Sequence, residues 1–135
     1  ARDIEWNYRE TSIPFDEVVL ECEVATTEGS EQEIRRAMQK SQERRRITQP
    51  LGLPSCGSVF RNPEGESVGR LIENVGLKGA LCGGAQISER HANFIVNKGG
   101  AKAVEVLSLI HAASDAVAER YGVELVPEVR FLGFE

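Results

Sequence analysis

In Pro54-Ser55-Cys56-Gly57-Ser58-Val59-Phe60-Arg61-Asn62-Pro63, a hydroxyl follows directly on a residue with no side chain. Glycine lets a backbone approach a ligand closely, and Ser58 then offers a hydroxyl proton beside nearby amides. The same residue types also favour plain turns, so the pair alone leaves both readings open. A second grouping is Glu128-Val129-Arg130. On a strand, residues two apart share a face, so Glu128 and Arg130 would point one way and Val129 and Phe131 the other, buried way. A carboxylate beside a guanidinium suits recognition of an anionic substrate together with acid–base work, whereas a solvated surface pair contributes little. The third grouping is Ser88-Glu89-Arg90-His91-Ala92-Asn93, in which His91 is a hydrogen-bonding group, a general base or a capped loop residue. A cysteine hydrolase built from Cys56 and His91 lacks the adjacent base and oxyanion-hole motif that its chemistry needs. His111 is offset from the apolar stripe of its helix and reads as structural or exposed.

Those groups are positioned by elements that the apolar pattern defines. Val18, Leu20, Cys22 and Val24 alternate with Val19, Glu21, Glu23 and Ala25, which predicts a strand over 18–25 with one face buried. Ser30 followed by Glu33 has capping-box spacing, and Ile34, Ala37, Met38 and Ser41 recur at helical intervals. That helix should end near Arg44-Arg45-Arg46, where cations suit the carbonyl end of the dipole and read as a solvated helix end. From Ile47 to Pro63 prolines and glycines break all periodicity, while Leu51, Leu53, Val59 and Phe60 argue against disorder, so a long functional loop is expected. Val68, Leu71, Ile72 and Val75 predict a short helix closed by Gly76. Residues 80–87 read as a strand interrupted at Gly83-Gly84, and 94–96 as another. The longest helix is expected over 101–121, with Ala103, Val106, Leu107, Ile110, Ala113, Val117 and Tyr121 as its stripe and Gly122 as its stop. Two strands, 123–125 and 128–132, split by Pro127, complete an order β-α-loop-α-β-β-α-β. The fold class is α+β: a small, mainly antiparallel sheet packed with two to three helices.

A chain of 135 residues, 41% hydrophobic and 27% charged, has room for one domain or one and a half small ones. The net charge of −5 argues against a nucleic-acid surface, but leaves room for a local basic pocket that takes a small phosphate ligand. No apolar run approaches the roughly 20 residues needed to span a bilayer. The polar opening Ala1 to Glu10 predicts no secretory leader, and a start without Met predicts a segment of a longer chain. Cys22, Cys56 and Cys82 are odd in number and lack CxxC spacing, which disfavours a disulfide framework or a metal site and fits a reducing cytoplasm.

The serine segment resembles the signature of the UDP-N-acetylenolpyruvoylglucosamine reductase family, also called UDP-N-acetylmuramate dehydrogenase. Further blocks agree in the same order: Asn7-Tyr8-Arg9-Glu10-Thr11-Ser12, Gly69-Arg70-Leu71-Ile72-Glu73, Gly83-Gly84-Ala85-Gln86-Ile87-Ser88, His91-Ala92-Asn93-Phe94-Ile95-Val96-Asn97 and Pro127-Glu128-Val129-Arg130-Phe131-Leu132-Gly133. The resemblance implies a cytoplasmic flavoprotein oxidoreductase of peptidoglycan precursor synthesis, and through it of cell wall biogenesis, cell shape, the cell cycle and division. NADPH reduces FAD, and the reduced flavin passes a hydride to the enolpyruvyl ether of a UDP-sugar. It further implies Arg9, Ser58 (as proton donor) and Glu128 as catalytic residues, and Tyr8, Asn62, His91 and Arg130 as substrate-binding residues. FAD would be held mainly by a flavin domain that precedes this chain. Residues 1–46 would be the tail of that domain and 47–135 the substrate-binding carboxyl-terminal domain, inactive as a fragment. Where the family commonly has a basic residue before the Gln-Pro pair this chain has Thr48, with Arg46 or Arg61 as expected substitutes. The short connection to the serine segment resembles the compact branch without an extra tyrosine loop. A non-catalytic UDP-sugar-binding or partner-binding module from a truncated homologue is the alternative.

Overall fold

The first pairing in the chain is local. Trp6–Asn7 (β1) and Glu10–Thr11 (β2) run antiparallel with Asn7 opposite Glu10, so Tyr8 and Arg9 form a two-residue connection. Arg9 takes φ 61° there, a left-handed conformation that residues other than glycine seldom occupy. Ser12 N donates to Glu5 O at 3.1 Å and Glu5 N to Ser12 Oγ at 3.0 Å, which extends the ribbon by one step. The structure is a computed structural model that describes residues 4–133. Two units make up the chain, Ala1–Met38 and Gln39–Glu135, and the hairpin belongs to the first.

The strand expected over 18–25 does not form. Val18, Leu20 and Val24 are 81%, 91% and 71% exposed. Alternation fixes which side a strand would bury, but a strand also needs a neighbour, and none of the strands among the described residues pairs with that segment. Glu31–Thr48 (α1) comes next, with Glu31 and Glu33 in its first turn and Arg45 and Arg46 in its last, each sign matched to the helix dipole. It passes the expected stop at Arg46 by two residues, and Thr48 Oγ1 donates to Arg44 O at 2.7 Å.

Gln39–Glu135 holds the sheet. Ser55–Ser58 (β3) lies within the segment expected to be a loop throughout; Gly57 at φ 86° and a register shift between Ser55 and Ser58 hide its strand pattern. After it come Val68–Asn74 (α2), and then Leu81–Cys82 (β4) and Ala85–Ile87 (β5), which form a hairpin around the glycine pair. Phe94–Asn97 (β6) and Ala103–Tyr121 (α3) complete the elements. The order across the sheet is β3-β6-β5-β4, antiparallel at every pairing, so the expected α+β class holds. The two closing strands, 123–125 and 128–132, do not form. A single bridge between Phe60 and Pro127 stands in their place, because proline has no N–H to continue a ladder. No helix among the described residues is long and apolar enough to cross a membrane.

The core gathers Val59, Phe60, Val68, Ile72, Ile87, Leu109, Ile110, Ala113 and Val117. Leu109, outside the expected stripe of α3, is buried, while Ala103 and Tyr121 at the two ends are exposed. Gly122, at φ 66°, donates to Ala118 O and stops the helix as expected.

One carboxylate joins the hairpin to α3. Glu105 accepts from Lys102 N at 2.9 Å and from Gly84 N at 3.0 Å, and these amides hold its carboxyl below the usual range. The stabilisation it brings is therefore complete above about pH 4.5 and is lost as pH falls through the lowered folded value. Close approach requires Gly84: a Cβ there would stand 2.5 Å from Gly99 O and 2.6 Å from Ala101 N. Gly84→Ala should cost about 1–3 kcal/mol through that clash. Gly52→Ala, which meets nothing within 4 Å, should stay within about 1 kcal/mol of the parent. Urea unfolding of both variants checks the contrast.

Candidate functional site

β3 is an edge strand, and the two residues after it decide where Ser58 sits. Val59 and Phe60 are buried, so their peptide groups need partners that a sheet edge does not provide. One side is met by Asn93, immediately before β6. Its main-chain oxygen accepts from Val59 N at 2.9 Å. Its side-chain oxygen accepts from Phe60 N at 3.0 Å, and its Nδ2 donates to Phe60 O at 2.8 Å. The other side is met by residues after α3: Glu128 N donates to Val59 O at 2.8 Å, and Arg61 N to Val126 O at 2.9 Å. Ser58 and Glu128, both half-buried, are thereby held one residue apart across a backbone hydrogen bond.

The other expected residues fall into three places. Asn62 is exposed, and its Oδ1 accepts from Val68 N at 3.1 Å, which satisfies the start of α2 and leaves the amide hydrogens as donors. Arg130 is exposed beyond a bend at 129, where the expected strand does not form; Val129 packs on the core and Phe131 is 42% exposed. Tyr8 and Arg9 occupy the hairpin tip of the first unit, with the guanidinium carbon 5.8 Å from the Tyr8 ring centroid. His111 is exposed on α3.

His91 is tied into the same network. Its Nδ1 accepts from Asn93 N at 3.2 Å, so in the neutral ring the proton is on Nε2. The ring lies 4.9 Å from that of Phe94 and closes on Gly69, where a Cβ would come within 3.0 Å of Cε1. Burial pushes the His91 pKa down; its backbone hydrogen bond acts the other way, and the Lys78 ammonium lowers it further.

His91 also lines a cleft of about 810 Å³ that runs between the last turns of α1 and the start of α2. Arg44, Arg45, Arg70 and Arg90 line it with one carboxylate, Glu73, which Lys78 pairs at 2.7 Å, while Arg70 pairs with Glu66 at 3.1 Å. Thr48 is in the wall. Of the residues expected to replace a basic group there, Arg46 pairs with Glu43 at 2.8 Å, and the cleft lining has Arg44 and Arg45 but neither Arg46 nor Arg61. Arg90 Nη1 donates to Arg46 O at 2.9 Å and to Gln49 O at 3.4 Å, which fixes the cleft's edge to the carbonyl end of α1. The arrangement suits a ligand with two or more negative charges. The amino-acid pattern assigned no role to Asn93, Arg44, Arg70 or Arg90.

An imidazole kept neutral in the folded chain makes the unfolded chain the better proton acceptor. Stability should therefore decline as pH drops below about 6.5 and level off below the lowered folded value. His91→Gln should flatten that part of the profile, as melting temperatures between pH 7 and 5 would show.

Comparison with known proteins identifies the family and the fold. The sequence model for the UDP-N-acetylenolpyruvoylglucosamine reductase C-terminal domain matches residues 49–132. The UDP-N-acetylenolpyruvoylglucosamine reductase of Halalkalibacterium halodurans is 48% identical over 118 residues, covering 87% of this chain and 39% of that protein. The Alkalilimnicola ehrlichii protein of the same name is 47% identical over 131 residues, covering 97% of this chain and 44% of its own length. A crystal structure of UDP-N-acetylenolpyruvylglucosamine reductase from Thermus caldophilus superposes with a TM-score of 0.75 at 38% identity, over 93% of this chain and 45% of that one. The chain thus spans less than half the length of these relatives. By the match over 49–132, it belongs to the UDP-N-acetylenolpyruvoylglucosamine reductase C-terminal domain family.

Proposed function

We propose that this chain supplies the substrate side of a cytoplasmic, flavin-dependent reductase that converts UDP-N-acetylglucosamine enolpyruvate to UDP-N-acetylmuramate in peptidoglycan precursor synthesis. The observation that carries the reading is the 2.8 Å hydrogen bond from Glu128 N to Val59 O, which puts a carboxyl and the Ser58 hydroxyl at neighbouring positions. Hydride addition to the terminal vinyl carbon leaves negative charge beside the substrate carboxylate, an enolate-like state. Groups that meet this charge as it develops lower the barrier most. Glu128, protonated or bridging, and Arg9 take that part, and Ser58 gives the enolate carbon its proton. A free hydroxyl is a weak acid, so Ser58 depends on its neighbours to hold and polarise it. The arginine-lined cleft, with the Nε2–H of His91 and the amide hydrogens of Asn62, suits the diphosphate end of the substrate. Arg130 and Tyr8 contribute from the substrate's periphery.

The donor set of this chain fits that half of the reaction. Ser58 and Glu128 hold or move protons, and a hydride has to come from a bound redox group. In the whole enzyme that group is FAD, recharged by NADPH, and it supplies the hydride. We assign 1–46 to the end of the flavin-binding domain and 47–135 to the substrate-binding domain. The exposed alternate apolar residues of 18–25 support this, since a strand without a partner fits the edge of a sheet in the preceding domain. A division between Met38 and Gln39, inside α1, also supports a boundary in that helix.

In the complete enzyme, Ser58→Ala should leave flavin reduction by NADPH unchanged and slow reoxidation by substrate about 10²–10⁴-fold. Stopped-flow flavin absorbance separates the two steps, and an equal loss in both would exclude a proton-donor role. The 135-residue chain alone should show no NADPH-dependent turnover. Replacing Arg44 and Arg70 together by Ala should weaken UDP-sugar binding about 10-fold or more and flatten its salt dependence, as read by calorimetry.

A further inference from the structure

We infer that Asn93 is a positioning residue for this reaction: its carboxamide sets the spacing of Ser58 and Glu128. The inference rests on the proposed function above. Asn93 is 3% exposed, and an amide buried that deeply costs stability unless both its ends are bonded. Both ends go to a single residue. The side-chain oxygen takes the N–H of Phe60 and the side-chain nitrogen gives to its carbonyl, at 3.0 and 2.8 Å. The carboxamide acts as the missing neighbour of an edge strand for one residue only.

The Phe60 N–H that the carboxamide holds belongs to the same peptide unit as Val59 O, the attachment point of Glu128, one residue after Ser58. Ser58 precedes Val59, whose N–H is held by the Asn93 carbonyl oxygen at 2.9 Å and whose oxygen takes Glu128 N at 2.8 Å. All the polar groups of Val59 and Phe60 are thus committed either to Asn93 or to Glu128. Any shift of the Val59–Phe60 peptide unit moves the attachment of Glu128 directly and Ser58 through Val59. The main-chain N–H of Asn93, on His91 Nδ1 at 3.2 Å, carries the same anchor to the edge of the cleft. Ligand end and reacting end thereby share one fixed point.

Few side chains can replace this one. Aspartate keeps the acceptor for Phe60 N but turns a second lone pair on Phe60 O. Serine and alanine leave at least one buried main-chain group without its partner. Only a protonated Asp carboxyl restores an acceptor and a donor of the same length. This gives a signature that loss of stability does not share: an Asp variant should recover as pH falls.

The test uses the complete FAD-loaded enzyme, with Asn93→Asp, Asn93→Ser and Ser58→Ala compared below their melting temperatures. For both Asn93 variants, flavin reduction by NADPH should stay within about twofold of the parent, while reoxidation by substrate slows about 10- to 100-fold, the scale of a misplaced reacting group. Relative to the parent at each pH, Asn93→Asp should regain reoxidation rate as pH is lowered from 8 to 5.5, and Asn93→Ser should not. If the variants melt lower but keep the parent's ratio of the two steps, Asn93 only holds the fold and the inference is overturned. Loss of both steps in equal measure, or a pH profile of Asn93→Asp parallel to that of Asn93→Ser, also overturns it. Should Asn93→Asp fail to fold, the ratio of steps in Asn93→Ser decides. If Ser58→Ala reoxidises at the parent rate, it is the proton-donor reading that fails. Slow Ser58→Ala with unaffected Asn93 variants removes the positioning inference alone.

Discussion

The site depends on how two buried peptide groups at the end of an edge strand find their hydrogen-bond partners. Val59 and Phe60 are pulled inward by their own side chains, 1% and 2% exposed, and their main-chain polar groups go with them. Each such group left without a partner would cost about 1–3 kcal/mol, enough to decide the local path of the chain. Asn93 answers one side and the chain after α3 answers the other. Apolar burial and backbone satisfaction therefore agree on one conformation for 58–61, with the Ser58 hydroxyl at its start.

The remainder of Gln39–Glu135 keeps those partners in place. Asn93 leads into β6, and β6 is central in the sheet, between β3 and β5. β5 is held through the hairpin to the first turn of α3 by Glu105, a contact that only Gly83 and Gly84 leave room for. α3 then buries Leu109, Ile110, Ala113 and Val117 against the core, and its stop at Gly122 delivers the chain to Val126 and Glu128 beside Phe60. Both sides of the serine segment are thus set by the same sheet and helix. The same turn ties Asn93 to the cleft, because its N–H donates to Nδ1 of His91, one of the cleft's lining residues.

Much of this was legible in the sequence, because periodicity reports burial. The α1, α2 and α3 spans, the break at Gly83-Gly84 and the stop at Gly122 all come from local pattern and turn chemistry. What failed were places where the deciding partner is remote. Val18 to Ala25 has the pattern of a strand, but this chain gives it no neighbour among the described residues. β3 was masked by Gly57 and by the prolines around it. The strands expected after Gly122 were reduced to one bridge by Pro127. Among the candidate site residues, Ser58, Glu128 and His91 are linked through the main-chain groups of Val59 and Asn93. No local signal marks Asn93 as the partner of Phe60, 33 positions away in the chain. The cationic cleft was equally hidden: the Arg44-Arg45-Arg46 run reads as a solvated helix end, and only the fold sets two of its members beside Arg70 and Arg90.

A crystal structure of the complete enzyme with its enolpyruvyl substrate bound tests the central claim most directly. Ser58 Oγ should lie within about 3.5 Å of the enolpyruvyl carbon that takes the proton, with the substrate carboxylate at Glu128 and the diphosphate among Arg44, Arg70 and Arg90. A substrate whose enolpyruvyl group sits away from Ser58, or whose diphosphate avoids the arginine cleft, would contradict it.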